Sequence, residues 1–404
     1  MIRLLNILTL LFAVFIQISA CTTAIISGKH TVDGRPLLYK HRDTGSLQNK
    51  LMSFSDGKYD YIGIVNSNDK VGKEVWGGYN ASGFAIMNSA SYNLNEKKVG
   101  EEEREGIIIK QALQSCATLA DFEHLLDSLP KPLFVNANFG VIDAQGGAAY
   151  YETGDYGYTK YDANDPAVAP MGYIIRTNYS FSGDRKRDKG ISRYMAAAPL
   201  FHQATLSNNL SHKFLLRDVS RHLTHGLTGI NLYDQIPLCG DAPIFVPFRD
   251  FIPRYSTSSV IVVQGIKEKE PVSLTTMWTI LGSPLSAVAI PVWLNKQGHY
   301  PNIMLADETG NAKLCDWSLR LKKQLFPITR GEGNDYLNLA ALITKENTGI
   351  LQKLKPIEDR ILENSDILLN EWRENGINTD KQKEFCNWAD QFLTESYFQI
   401  FNIQ

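Results

Sequence analysis

Ala20-Cys21-Thr22-Thr23-Ala24-Ile25-Ile26-Ser27-Gly28, followed by Leu37-Leu38-Tyr39-Lys40-His41-Arg42-Asp43, decides how this chain is read. The first run is β-rich and stops at a glycine. Val32-Asp33-Gly34-Arg35-Pro36 supplies turn chemistry, and the second run resumes a strand. The pattern predicts a hairpin whose second strand ends beside the residue that opens the first, which brings Arg42 or Asp43 next to Cys21. A guanidinium near a thiol favours the thiolate. A carboxylate at the same place orients an amine by accepting its hydrogen.

Working outward, residues 1–20 read as a cleavable signal peptide. Arg3 gives the positive start, Leu4 to Ile16 is almost wholly apolar, and Ile18-Ser19-Ala20 ends in a small residue. Cleavage after Ala20 makes Cys21 the first residue of an exported, periplasmic or secreted protein. Its thiol then shares a residue with a free α-amine, whose pKa of roughly 8 leaves part of it unprotonated at neutral pH. A nucleophile with its own base is the core of N-terminal-nucleophile hydrolysis. Ile18-Ser19-Ala20-Cys21 also fits a bacterial lipobox, in which lipid on the sulfur and an acyl group on the amine consume both groups that catalysis needs. The two fates exclude each other.

The 404 residues are 44% hydrophobic and 21% charged, as in a globular protein of one large domain or two to three smaller ones. A formal net charge of −2 argues against a nucleic-acid binder. The basic run Arg185-Lys186-Arg187 is flanked by Asp184 and Asp188 and reads as a solvated loop. After the leader no apolar run is long enough to span a membrane. Besides Cys21 there are Cys116, Cys239, Cys315 and Cys386, with no C-x-x-C. Two disulfides or four buried thiols fit that spacing equally. His222-Leu223-Thr224-His225 has helical spacing but no acidic third ligand nearby, so it reads as a helix-surface pair and no metal is expected.

Residues 61–65, 75–79, 84–88, 260–264, 275–281 and 287–292 read as strands, and 139–143 with 148–152 as a hairpin. Residues 101–115, 119–129, 191–201 and 214–222 read as helices. The C-terminal part, 334–347, 349–375 and 381–398, is Leu-, Glu-, Lys- and Asn-rich at helical spacing, interrupted at Pro356. Trp76, Tyr79, Phe84 and Tyr92 suit either an acyl pocket or ordinary core.

The cysteine, the Lys40-His41-Arg42-Asp43 segment and Trp76-Gly77-Gly78-Tyr79-Asn80-Ala81-Ser82-Gly83-Phe84-Ala85-Ile86-Met87-Asn88-Ser89 together resemble the linear-amide C–N hydrolases of the N-terminal-nucleophile superfamily. That group includes choloylglycine hydrolases, penicillin V acylases and the acyl-coenzyme A:6-aminopenicillanic acid acyltransferases, and the last branch is the most similar. The resemblance is good over residues 21–201 and loose beyond. In the choloylglycine members the arginine and aspartate are two residues apart; here they are adjacent. The resemblance implies a catalytic set of Cys21, Arg42, Asp43, Asn88, Asn178 and Arg193. Asp43 partners the amine. Asn88, which closes an N-x-x-G pattern opened by Asn80, and Asn178 donate to an oxyanion, and Arg193 stands on a helix start near the site.

The resemblance also implies an α+β fold, a four-layer αββα sandwich over residues 21–330 with a helical C-terminal region, 331–404, packed on the same domain. The strand-rich pattern permits this architecture. The expected activity is cleavage of a small-molecule N-acyl amide through a Cys21 thioester, with water or another amine taking the acyl group and no cofactor. A homo-oligomer is compatible with the sequence. An N-terminal-cysteine dipeptidase, a lipid-anchored surface lipoprotein with a binding role, and a hydrolase that has lost turnover are the alternatives.

Overall fold

The computed structural model describes residues 20–95, 104–187, 189–236 and 242–403. The predicted hairpin is present. β1 (Ala20–Ile26) pairs antiparallel with β2 (Leu37–Asp43), with Cys21 opposite Arg42 and Ala20 opposite Asp43. β3 (Asn49–Phe54), β4 (Tyr61–Asn66), β5 (Gly77–Asn80), β6 (Ala85–Ala90), β7 (Ala137–Ile142), β8 (Ala148–Thr153) and β9 (Tyr158–Asp162) follow as a seven-stranded antiparallel meander. β10 (Tyr173–Arg176), β12 (Thr257–Gln264), β13 (Thr276–Leu281) and β14 (Ile290–Val292) join the hairpin in a six-stranded antiparallel sheet ordered β10-β1-β2-β12-β13-β14, which places the Cys21 strand in its interior. β11 (Phe245–Pro247) pairs with β15 (Tyr336–Asn338) in a separate ribbon.

The two sheets stack face to face. Apolar side chains alternate in and out along each strand. On β6, Ala85 and Met87 belong to the core between the sheets. Ile86 belongs to a second core shared with Ile108 and Ile109 of α1 (Glu105–Ser115) and Phe122 of α2 (Leu119–Ser128). Gly140 of β7 leaves room between the sheets: a Cβ there would overlap Met87 and press on Ile25 of β1. α3 (Ile191–Leu206), α4 (His212–Phe214), α5 (Lys313–Leu325), α6 (Leu339–Leu342), α7 (Ile350–Asn375) and α8 (Thr379–Phe401) supply the remaining helices. α3 covers β10, α5 covers β13 and α7 covers β14. The layering is αββα, an α+β sandwich.

α7 is tied down by a buried ion pair. Glu358 takes two hydrogen bonds from Arg221, at 2.6 and 2.7 Å, and a third from the Ala289 amide just before β14, at 2.8 Å. The helix runs through Pro356 instead of breaking there. Proline deletes one hydrogen bond, and the apolar face of Leu354, Ile357, Ile361 and Leu362 keeps the helix in place. Elsewhere the helical reading gives way. Residues 334–347 contain β15 and a single turn of helix, and 214–222 is a short π-turn, Leu215–Val219, running into irregular chain. β3, β9, β10 and α5 are additions to the sequence reading. Among the described residues no helix is long and apolar enough to cross a membrane.

Candidate active site

Residues opposite one another in an antiparallel pair point to the same face, and successive residues alternate. Cys21 and Thr23 of β1, with Arg42 and Lys40 of β2, therefore share one face of the hairpin. This face looks into the layer between the sheets: Tyr150 Oη of β8 donates to Thr23 Oγ1 at 2.8 Å. Thr22, His41 and Asp43 point to the back, toward the outer helices.

The backbone of Cys21 is held at both ends. Its nitrogen donates to Asn178 Oδ1 at 2.9 Å, and its carbonyl accepts from Arg193 Nη1. The same guanidinium donates to Thr22 Oγ1 at 3.1 Å and to Asn178 Oδ1 at 2.6 Å. Cys21, Asn178 and Arg193 are all at most 2% exposed. Burial pulls Arg193 down to about 9, which leaves it a cation at neutral pH. Arg193 sits in the first turn of α3, and that helix opens on Gly190 at φ 84°. A side chain at 190 would be strained in the left-handed region and its Cβ would overlap the guanidinium, so glycine is what the entry to α3 requires.

Asn178 hangs on a loop after β10 that is strapped from several sides. Glu152 of β8, 1% exposed, accepts from Arg176 Nε at 2.6 Å and from the amides of Phe181 and Ser182 at 2.8 and 2.7 Å. Ser180 donates through its hydroxyl to Asn138 Oδ1 and through its amide to Asn93 Oδ1. Asn178 Nδ2 donates to the Ala90 carbonyl at 2.8 Å. The loop therefore presents the carbonyl end of Asn178 to the Cys21 nitrogen. Here Cys21 is still joined to Ala20, and Asn178 accepts from its peptide N–H through Oδ1, whereas the expected oxyanion role calls on the Nδ2 end, which is bonded to Ala90.

Arg42 lies across the ladder from Cys21. It donates to Asn49 Oδ1 and, at 2.8 Å, to Asn66 Oδ1, and it stacks 4.7 Å from the centre of the Trp76 ring. Burial draws it down to about 10 while the neighbouring Cys21 works the other way.

Asp43 has turned to the back. It accepts from Arg254 at 2.6 and 2.9 Å and from Thr257 Oγ1 at 2.7 Å. His41 joins this network through Thr257 at 3.1 Å, and burial pulls it down to about 4, so it is neutral. Two consecutive residues of an extended strand cannot share a face, which is why the adjacent arginine and aspartate part company here.

Asn88 meets the Cys21 face of the hairpin through Lys40. On β6 it is opposite Phe139, a member of the core under α1 and α2, and strand parity puts it with Ile86 on that outer face. Its Oδ1 accepts from Lys40 Nζ at 2.6 Å. Lys40 reaches it just before β5 begins: the register that sets Gly77 opposite Met87 puts Trp76 across from Asn88. Of the six expected residues, the structure gathers Cys21, Asn178 and Arg193 into direct contact and sets Arg42 beside them. Asp43 faces the back, bonded to Arg254 and Thr257, and Asn88 reaches the site through Lys40.

Trp76 borders the site, whereas Phe84 is buried in the outer core and Tyr79 spends its hydroxyl on the Leu294 amide. Cys116, Cys315 and Cys386 are free and buried; Cys239 lies outside the described residues. His225 bonds Thr228 and Ser192 in non-helical chain, so the 222/225 pair is not on a helix. Among the described residues no group of three His, Cys, Asp or Glu is placed to hold a metal. The sequence reading missed Lys40, Glu152 and Gly190. Only Lys40 carried a signal, by its place two residues before Arg42 on the same strand face.

No family model matches the chain, and no curated protein matches it in sequence. Solved structures do. A Caenorhabditis elegans orthologue of N-acylethanolamine-hydrolyzing acid amidase is 14% identical over 49% of this chain and 88% of its own, with a TM-score of 0.32. Penicillin V acylase from Agrobacterium tumefaciens is 12% identical over 69% and 86%, at 0.37. A mutant of conjugated bile acid hydrolase from Clostridium perfringens is 10% identical over 68% and 93%, at 0.35. The function proposed below rests on the geometry of the site itself.

Proposed function

We propose that this chain is an exported hydrolase of linear amide C–N bonds that works through a thioester on an N-terminal Cys21. One observation carries the reading: the nitrogen and carbonyl of Cys21 are each clamped by a buried side chain from a distant segment, Asn178 and Arg193, at the start of an interior strand. A buried peptide N–H needs an acceptor in any case; what supports the reading is that the acceptor is a side chain, Asn178, itself held by Arg193, and can stay in place once the peptide bond is cut. A residue whose own amine is the base needs that nitrogen fixed.

In the mechanism, cleavage after Ala20 frees the α-amine. The amine takes the thiol proton as Cys21 Sγ bonds to the amide carbon, then delivers it to the nitrogen of the breaking C–N bond, which leaves as an amine. Water, or an acceptor amine, attacks the thioester and regenerates the thiol. Asn178 holds the amine through its Oδ1. Arg193 fixes the cysteine carbonyl. Arg42, on the face of the thiol, offsets the negative charge that develops there. Asp43 works through Arg254 and Thr257 as part of the frame behind the strand.

The burial of Cys21 favours this reading over a lipidated surface cysteine, because an acylated, lipid-bearing residue does not fit the clamp. N-terminal mass spectrometry of the exported protein tests it, joined to assay of a panel. A free Cys21 is expected, with turnover of one or more of penicillin V, a glycine-conjugated bile acid, an N-acylethanolamine or an N-acyl amino acid, and loss of that turnover in Cys21→Ala. A diacylglyceryl group on Cys21 overturns it, and cleavage of dipeptides alone makes the enzyme a dipeptidase.

A further inference from the structure

We propose that Lys40 is a second fixed cation of this site, an electrostatic positioning residue that stabilises negative charge on Cys21; the assignment rests on Cys21 being the nucleophile. Lys40 lies opposite Thr23 in the β-ladder, two positions along the same face from Cys21. It is 1% exposed. Its ammonium donates to the Trp76 carbonyl and to Asn88 Oδ1, both at 2.6 Å, and stands 5.9 Å from the Trp76 ring centre. Both partners are neutral carbonyl oxygens. Among the described residues no carboxylate is bonded to it. An ammonium has three hydrogens, and two acceptors leave one over.

A buried lysine without a carboxylate is expensive, and two neutral hydrogen bonds do not repay the loss of water. A methionine would fill the same space without that cost. The cost is offset by negative charge nearby: the Glu105 carboxylate on α1 supplies part, and the Cys21 sulfur is the group on this face that develops charge during the reaction. The cations on Cys21 have one pattern: Arg42 bonds to two asparagine carbonyls, and Arg193 to a backbone carbonyl, a hydroxyl and an asparagine carbonyl. All three cations act electrostatically on Cys21, and their bonded partners are neutral.

The groups facing Lys40 are Cys21 on β1, Arg42 beside it on β2, Arg176 on β10 opposite Thr23, Asn88 on β6, Tyr150 on β8, Ile261 on β12 and Glu105 on α1. Burial draws the ammonium down to about 7, with Arg42 acting in the same direction and Cys21 and Glu105 against it. Negative charge on Cys21 therefore favours the charged form of Lys40.

The test is the rate at which iodoacetamide alkylates Cys21 in the mature protein, followed against pH by intact mass with peptide mapping to separate the other cysteines. Lys40→Met and Lys40→Gln are compared with wild type and Lys40→Arg; glutamine keeps a donor without the charge. Expected is a slowing of about tenfold or more at pH 7 for Met and Gln, with the midpoint of the profile about one pH unit or more higher, and recovery in Arg. Thermal melting of Lys40→Met should be no lower than wild type, since the variant removes a buried ammonium, whereas a structural lysine would show the reverse. Wild-type rate and midpoint in both Met and Gln overturn the assignment of Lys40 alone. Full amide hydrolysis by Cys21→Ala, or by wild type after Cys21 is alkylated, overturns the parent reading instead.

Discussion

The two faces of the β1–β2 hairpin treat charge in opposite ways. On the back, the Asp43 carboxylate is paired with Arg254 and accepts from Thr257, and burial holds the neighbouring His41 neutral; Lys322 there is bonded to the neutral Thr257 carbonyl at 3.0 Å, with the Asp43 charge acting in its favour. On the front, Lys40 and Arg42 are bonded only to neutral oxygens beside Cys21. A compensated network stabilises the folded chain and does little else. An uncompensated one costs stability and returns it to whichever species brings negative charge, here a thiolate or a tetrahedral intermediate. Substitutions on the front should therefore be read in rate, and those on the back in stability.

The largest effect on the front is expected from Cys21→Ala, which should abolish amide hydrolysis with an unchanged melting curve; Cys21→Ser should keep weak activity, since a hydroxyl ionises far less than a thiol. Asn178→Ala comes next. It removes the acceptor of the Cys21 nitrogen and a partner of Arg193, and kcat should fall by about 10²–10³-fold. Steady-state kinetics with the substrate found in the panel measures both.

On the back, Asp43→Asn leaves Arg254 facing a neutral amide. It should cost about 3 kcal/mol in a urea titration while kcat changes by less than about tenfold. A loss of about 10³-fold in an intact fold would return Asp43 to the amine and break the comparison. Asn88→Ala should be milder still, within about tenfold of wild type in kcat, because strand parity sets it toward α1 and it touches the site only through Lys40. A loss as large as that of Asn178→Ala would show that strand parity had misplaced it.

The smallest effect is a slope. Lys40 and Lys322 are pulled down to about 7 by burial, and His41 to about 4. In each case the unfolded chain binds more protons than the folded one between the lowered value and the ordinary one. Stability should rise with pH through 4 to 6.5 on account of His41, and again from about 7 toward 10 on account of the lysines. Urea midpoints at pH 5, 7 and 9 should increase in that order, and Lys322→Met should flatten the upper part without touching catalysis.

How much of this was legible in the chain can be seen residue by residue. The hairpin from Cys21 to Asp43 was readable because a β-rich run, a turn and a second run lie within a short local stretch, and loop closure of that length leaves little choice of partner. α1, α2, α3 and α8 were readable from apolar spacing. β10 was not: four residues, Tyr173–Arg176, carry too little pattern to be told from loop. They become a strand because β1 offers them an open edge. α5 carried a spacing of Leu314, Trp317, Leu321 and Leu325 that the sequence reading passed over.

The sequence by itself determined the hairpin that presents Cys21 and brings the Arg42-Asp43 pair back beside it, because that follows from local order; the register that sets Arg42 opposite Cys21 was read from the structure. Asn178 and Arg193 were singled out only through the resemblance to the linear-amide hydrolases. Only the tertiary structure decided which end of Asn178 meets the nitrogen, since a side-chain amide is both donor and acceptor and its choice depends on Ala90 and Arg193, distant in sequence. The same holds for the parting of Arg42 from Asp43 and of Met87 from Asn88. The period of the strand fixes that neighbours diverge, but which face becomes the inside depends on the second sheet and the helices that come to cover the two sheets.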